Sequence, residues 1–168
     1  MKELPRTRPG LYTSGAMEPV PPSRPTTTRI RFAELEALMQ DQQAGGEYQR
    51  DLLPKDPPRL PDYELGVEYR PARKVSGDFF DFLPLSGGRW GIAVADASGK
   101  GVPAALLTMT CRALLRSQPE PEASPGRVLA NTNRLLLGNI RRGMFVSGIY
   151  AVLDPVRHTL QVANAGHL

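Results

Sequence analysis

The chain has 168 residues, room for one ordinary domain plus some unpacked length. Hydrophobic residues make up 40%, charged residues 23% and aromatics 7%, slightly polar for a globular chain and unlike a wholly disordered one. No run approaches the ~18 apolar residues of a membrane-spanning helix. The single cysteine, Cys111, excludes an intramolecular disulfide and a multi-cysteine zinc site, and Met1–Pro5 leads into no apolar stretch of the kind a secretory signal needs. A cytoplasmic protein that neither spans a membrane nor binds nucleic acid is the expectation.

The net charge of +4 is unevenly placed. Residues 1–30 hold Lys2, Arg6, Arg8, Arg24 and Arg29 against Glu3 and Glu18, so most of the surplus lies there, beside six of the seventeen prolines. Such a stretch buries too little apolar surface to offset its ordering entropy and reads as a disordered Pro/Arg-rich tail over residues 1–29. A nucleic-acid arm is the sharper alternative, but no compact basic block or interleaved aromatic supports it.

Residues 30–61 form a helical lead-in and a proline-rich linker. Ile30, Leu35, Leu38 and Met39 can share one helical face. Gly45-Gly46 interrupts the pattern at ~1 kcal/mol per glycine relative to alanine; it resumes from Tyr48 to Leu53, and Pro54, Pro57, Pro58 and Pro61 close it. The helix either packs on a neighbour or begins a coiled coil, although sustained heptads are absent.

From residue 62 the pattern changes. Tyr63–Tyr69 alternates apolar and polar residues as a half-buried strand does. Phe79–Leu83 and Trp90–Ala95, split by Ser86-Gly87-Gly88, read as an antiparallel hairpin. Pro103 suits the first turn of a helix reaching Arg116, on which Thr108, Arg112 and Arg116 form one polar stripe. Ser124-Pro125 opens a second helix as N-cap and first residue. Its inner face is expected to run from Val128 to Ile140, with Arg141-Arg142 in its last turn and Gly143 as its stop. Met144–Leu153 and Thr159–Ala163 read as paired strands. The fold class is therefore α+β on an antiparallel sheet with two packed helices.

Several chemistries fail on spacing. Ser98-Gly99-Lys100-Gly101 lacks the first glycine and the Ser/Thr of a phosphate-binding Walker loop, and Ser98 lacks the glycines of a nucleophile elbow. Cys111 lies in an apolar helix as a small hydrophobe. What remains are aspartates at strand ends: Asp78 with Asp81 after Gly77, and Asp96 at the end of the second hairpin strand. If the hairpin forms, Asp78 and Asp96 can face each other across it. Two close carboxylates raise each other's pKa unless a cation sits between them, and oxygen-only ligation selects Mg²⁺ or Mn²⁺. On spacing alone, an aspartate after glycine is equally a turn former.

Four ordered motifs carry a resemblance. Tyr69-Arg70-Pro71-Ala72-Arg73-Lys74-Val75-Ser76-Gly77-Asp78-Phe79-Phe80-Asp81 resembles the signature YxPAxxVGGDFYD that opens the catalytic domain of bacterial SpoIIE/RsbU-type PP2C (PPM) phosphatases. Gln49–Pro54 resembles its QxxLLP lead-in, Asp96–Ala105 its DVSGKGxxAA segment and Asn164–His167 its NAGH strand. Ser76 and Phe80 replace the commoner glycine and tyrosine.

The resemblance implies a metal-dependent phosphatase acting on phosphoserine or phosphothreonine of a regulatory protein, such as a phosphorylated anti-sigma-factor antagonist in sigma-factor partner switching. It implies that Asp78 reaches one metal ion, Asp96 bridges two and Ala97 lends a backbone carbonyl, with two Mg²⁺ or Mn²⁺ ions in the complete domain. Asp78 and Asp96 are thus the catalytic candidates. Lys100 is a solvated lysine or a phosphate contact, and His167 a structural residue or a general acid. Residues 62–168 are expected to be an incomplete PP2C-like α-β-β-α sandwich truncated at its C-terminus, with one bare apolar sheet face, the distal ligands missing and little or no activity alone. The competing readings are a non-catalytic phosphatase-like interaction module and a nucleotide-binding regulator using Gly99-Lys100-Gly101. The substrate protein, any sensory domain and the oligomeric state are not specified.

Overall fold

A computed structural model describes residues 31–118, 124–138 and 140–168. The proposed tail, residues 1–29, lies outside the described residues. Residues Phe32–Leu168 form one compact unit.

The order of elements is α1 (Phe32–Leu52), β1 (Asp78–Pro84), β2 (Trp90–Ala97), α2 (Val102–Arg116), α3 (Pro125–Leu137), β3 (Val146–Asp154) and β4 (Thr159–Ala165). The strands form an antiparallel sheet in the order β1-β2-β3-β4. The expected hairpin is β1-β2, closed through a short 3-10 turn at Ser86–Gly88. The helices α2 and α3 connect β2 to β3 and pack on one face of the sheet. This is the expected α+β arrangement of antiparallel sheet and two helices.

Strand alternation decides the two faces. Phe79 and Leu83 of β1, Ala93, Ala95 and Ala97 of β2, and Tyr150 and Val152 of β3 turn to the helices and meet Ala104, Leu107, Cys111, Leu115, Val128 and Leu136. The three alanines of β2 let α2 come close, and each fully buried leucine contributes roughly 1.5–3 kcal/mol. The opposite face carries Phe80, Phe82, Ile92, Val94, Leu160 and Val162; Val94, Leu160 and Val162 remain exposed. A cavity of about 450 Å³ lies between this face and residues 65–70.

Four local expectations are corrected. Helix α1 runs without a break through Gly45-Gly46, because Gly46 packs directly on the Lys74 carbonyl, where any Cβ would collide. That contact is close because residue 46 has no side chain, which offsets glycine's helix penalty. The apolar residues Leu35, Leu38 and Met39 of α1 are exposed, and the helix buries Gly46 and Gln49 instead. Tyr63–Tyr69 forms no strand beyond an isolated bridge between Leu60 and Tyr63, and none of the four described strands pairs with it. Helix α3 starts at the predicted Ser124-Pro125 but ends at Leu137 with Gly138 as C-cap, so Arg141 and Arg142 lie in the following turn and not in a helix.

The polar stripe of α2 points inward. Thr108 is fully buried, and Arg112 and Arg116 converge on Asp81 of β1, which is 1% exposed. Arg116 Nη1 donates to both Asp81 oxygens at 2.7 and 2.8 Å. Arg112 Nε lies 3.0 Å from Asp81 Oδ2, oblique to its N–H direction, so this contact is an ion pair and not an aligned hydrogen bond. Burial holds the Arg112 guanidinium below its ordinary pKa, while the Asp81 charge opposes that shift.

Candidate metal centre

The hairpin register brings the two candidate aspartates together. Asp78, the first residue of β1, is the direct cross-strand partner of Asp96 near the end of β2. Direct partners project to the same face, here the face away from the helices. Asp81, three residues on, points to the helix side, so its ion pairs are separate from this site.

The segment entering β1 is held from three directions. The Gln49 side chain grips the Ser76 backbone twice, donating from Nε2 to the Ser76 carbonyl at 2.7 Å and accepting the Ser76 N–H at 2.9 Å. The Thr108 hydroxyl of α2 donates to the Gly77 carbonyl, which also accepts the Ala97 N–H at 3.0 Å. The Ser76 hydroxyl donates to Asp78 Oδ2 at 3.0 Å and accepts the Asp78 N–H at 3.1 Å. Four bonds therefore fix the Ser76–Gly77 backbone just before Asp78, and the Ser76 hydroxyl orients its carboxylate. On the sheet face, the Tyr69 hydroxyl donates to the Asp78 carbonyl at 3.3 Å and its ring packs on Phe80. Burial raises the Tyr69 pKa.

Gly77 faces the other half of the pair. A Cβ built at Gly77 would stand 2.8 Å from the Ala97 carbonyl oxygen and 3.0 Å from Asp96 Oδ1. Two oxygens of the β2 end thus converge on a space that exists because residue 77 has no side chain. Partial burial raises the pKa of Asp96, and Asp78 raises it further by charge repulsion and by a hydrogen bond. His167 acts in the opposite sense. Its ring Nδ1 lies 3.2 Å from Ser147 Oγ, and Ser147 is the cross-strand partner of Asp96 on β3. The Asn164 side chain holds the His167 backbone, accepting its N–H at 2.8 Å and donating to its carbonyl at 3.0 Å.

The donors are hard oxygens with two formal negative charges, a set that fits Mg²⁺ or Mn²⁺ and not a soft metal. Burial is the larger cause of the raised Asp96 pKa; the repulsion by Asp78 that adds to it is what a cation between the carboxylates would relieve. Among the described residues no group of three His, Cys, Asp or Glu side chains converges on a common point. Two carboxylates and a carbonyl are a partial ligand set.

Cys111 is buried on α2, and burial pushes its thiol up to about 11, far from a nucleophile's range. Lys100 is exposed on the loop after β2. Gln49, Ser76 and Thr108 as holders of the Asp78 turn were not foreseen from the sequence. Gln49 and Ser76 lie in the matched motifs, but nothing in local periodicity signals contacts spanning 27 and 31 residues.

Comparison with known proteins bears on the family and the fold. Residues 86–168 match the family model of stage II sporulation protein E (SpoIIE). Phosphoserine phosphatase RsbU of Bacillus subtilis (strain 168) is 34% identical over 119 residues, covering 71% of this chain and 35% of that protein. Phosphoserine phosphatase RsbP of the same organism is 28% identical over 108 residues, covering 62% and 27%. The SiaA-PP2C domain of Pseudomonas aeruginosa superposes with a TM-score of 0.66 over 81% of this chain and 56% of that one, at 23% identity, a likeness of fold. The chain spans about a third of the length of the curated relatives it matches.

Proposed function

Because the chain carries part of a SpoIIE/RsbU-type PP2C phosphatase domain, we propose that it contributes the Asp78–Asp96 half of a centre that hydrolyses phosphoserine or phosphothreonine on a regulatory protein. The observation that carries this reading is the pairing of Asp78 with Asp96 around the Gly77 cradle, with the Ala97 carbonyl turned into the same space. Asp78, Asp96 and the Ala97 carbonyl would hold Mg²⁺ or Mn²⁺. Bound ions of this kind lower the pKa of water and neutralise charge on the phosphoryl oxygens.

The chain's own part is positioning. Ser76 orients the Asp78 carboxylate, Gln49 and Thr108 fix the turn that carries it, and Asp96 presents the second carboxylate from the neighbouring strand. The phosphoryl group passes from the seryl oxygen to water without a covalent enzyme intermediate. That agrees with Cys111 being buried on the helix side of the sheet. RsbU and RsbP are named phosphoserine phosphatases, which supports the substrate class. The motif resemblance extends it to a cytoplasmic phosphorylated anti-sigma-factor antagonist.

The partial ligand set favours a second reading, a phosphatase-like interaction module that binds such a partner without turning it over. Phosphate release from a phosphoserine-bearing antagonist protein, followed against Mn²⁺ concentration, separates the two. The enzyme reading expects metal-dependent release that Asp96→Asn abolishes, with little turnover by these 168 residues alone. Saturable binding of the phosphoprotein with no release at any Mn²⁺ concentration, both by this chain and by a longer chain carrying it, supports the module.

A further inference from the structure

The loops at the Asp78–Asp96 end of the sheet are charged in one sense. Residues 70–77, 98–101, 140–145 and 166–168 hold Arg70, Arg73, Lys74, Lys100, Arg141 and Arg142, and neither aspartate nor glutamate. Arg70 pairs with Glu68. Lys100, Arg141 and Arg142 are exposed.

Two hydrogen bonds join the loop and the turn that bear these last three. The Ser98 N–H donates to the Phe145 carbonyl at 2.8 Å, and the Phe145 N–H donates to Ser98 Oγ at 2.9 Å. Together they fasten the loop bearing Lys100 to the turn bearing the arginines. The Met144 N–H closes that turn on the Arg141 carbonyl at 3.0 Å. Between the turn and the first half of α2 lies a cleft of about 280 Å³, floored by Leu106, Leu107, Ile140 and Met144 with Arg141 at its rim. The acidic residue that lines the neighbouring groove, Asp41 of α1, lies beyond Val102 and Leu106, which the two hollows share.

We propose that this cleft, with Arg141 in its lining and Lys100 and Arg142 on the adjoining loop and turn as a cationic lip, forms a docking surface for the acidic flank of the phosphoprotein substrate. The inference rests on the phosphatase reading above and adds the part of the substrate that is recognised. The cleft takes an apolar side chain and the lip takes carboxylates next to the phosphoserine. Charge complementarity selects this occupant: a basic flank would be repelled by the same three cations. Single-stranded nucleic acid fits less well, because it needs several aromatic platforms and Phe145 is the one aromatic ring on these loops outside His167. Exposed pairs are individually weak and screened by salt, so the lip acts through the summed field of its charges.

The test uses two fluorescein-labelled peptides of equal length, each with a non-hydrolysable phosphonate analogue of phosphoserine and a leucine. One is flanked by three aspartates and the other by three lysines. Fluorescence anisotropy with the protein in Mn²⁺ is expected to show the acidic peptide bound roughly tenfold more tightly, a preference that shrinks as salt rises. The Lys100→Gln/Arg141→Gln/Arg142→Gln variant is expected to lose the preference while keeping the wild-type thermal melt. Equal or undetectable binding of both peptides, a preference that survives in the variant, or tighter binding of a labelled oligo-dT would overturn the docking surface. Turnover of p-nitrophenyl phosphate, which has no flank, reads the catalytic proposal separately. In a longer chain carrying these residues, turnover without flank preference removes the docking surface alone, and flank preference without turnover removes catalysis alone.

Discussion

Gln49 of α1 and Ser76 hold each other through two hydrogen bonds, at 2.7 and 2.9 Å, that bridge 27 residues of chain and end two positions before Asp78. Both groups are buried, so each bond left unmade exposes a desolvated partner. The lead-in helix is in this way tied to the backbone that presents the first aspartate.

Gln49→Ala is expected to cost about 1–3 kcal/mol, because the Ser76 N–H and carbonyl lose their partners together. Gln49→Glu keeps an acceptor for the N–H and leaves the carbonyl without a donor, and is expected to cost as much or more. Urea unfolding of the two variants checks the order, and a loss within error of zero for both would show that solvent replaces the glutamine.

Asp81 predicts a large stability effect away from the metal centre. It is buried between Arg112 and Arg116, and removing one partner of a buried ion group costs roughly 3–5 kcal/mol. Arg116 is partly exposed and can rehydrate, so Asp81→Leu is expected near the lower end. Adding Arg112→Leu removes the stranded charge and is expected to recover part of the loss. A double variant less stable than Asp81→Leu would contradict this account.

Asp96 carries a pH dependence of definite sign. Burial and Asp78 raise its pKa above the ordinary 3.8, so the folded protein binds this proton more tightly than the unfolded chain. Its contribution to stability is therefore most favourable below 3.8 and declines as pH rises through the raised value. With metal chelated, Asp96→Asn is expected to melt at or above the wild-type temperature at pH 7, with its relative advantage diminishing in acid. A variant markedly less stable at pH 7 would assign Asp96 a structural role.

Gly77→Ala tests the cradle. The new methyl would approach the Ala97 carbonyl and Asp96 Oδ1 at 2.8 and 3.0 Å, closer than side-chain carbons sit. The β2 end has to move, and Mn²⁺ affinity is expected to fall roughly 10–100-fold, as it does when the supports of metal ligands are disturbed. Isothermal titration with Mn²⁺ measures it, and unchanged affinity would show that the space is not used.

Much of the fold was legible because its signals are local. Alternation around Ser86-Gly87-Gly88 gave the β1-β2 hairpin, and with it the meeting of Asp78 and Asp96. Ser124-Pro125 gave the start of α3. The misses are long-range. Gly45-Gly46 looks like a helix break until the Lys74 carbonyl is placed against Gly46. The Thr108–Arg112–Arg116 stripe has the spacing of a solvent face, and only the position of Asp81 shows why both arginines turn toward the sheet. The alternation of Tyr63–Tyr69 is real, but a strand also needs a neighbour. At the site, the resemblance singled out Asp78, Asp96 and Ala97, whereas the residues that hold them became visible only in three dimensions.

The central claim is that Asp78 and Asp96 jointly grip divalent cations. Mn²⁺ binding, read by loss of the free-ion paramagnetic resonance signal in the wild type, Asp78→Asn and Asp96→Asn, tests it most directly. Saturable binding by the wild type that either single substitution removes is the predicted result. Binding that survives both substitutions unchanged, or a wild-type chain that takes up no Mn²⁺, would contradict it.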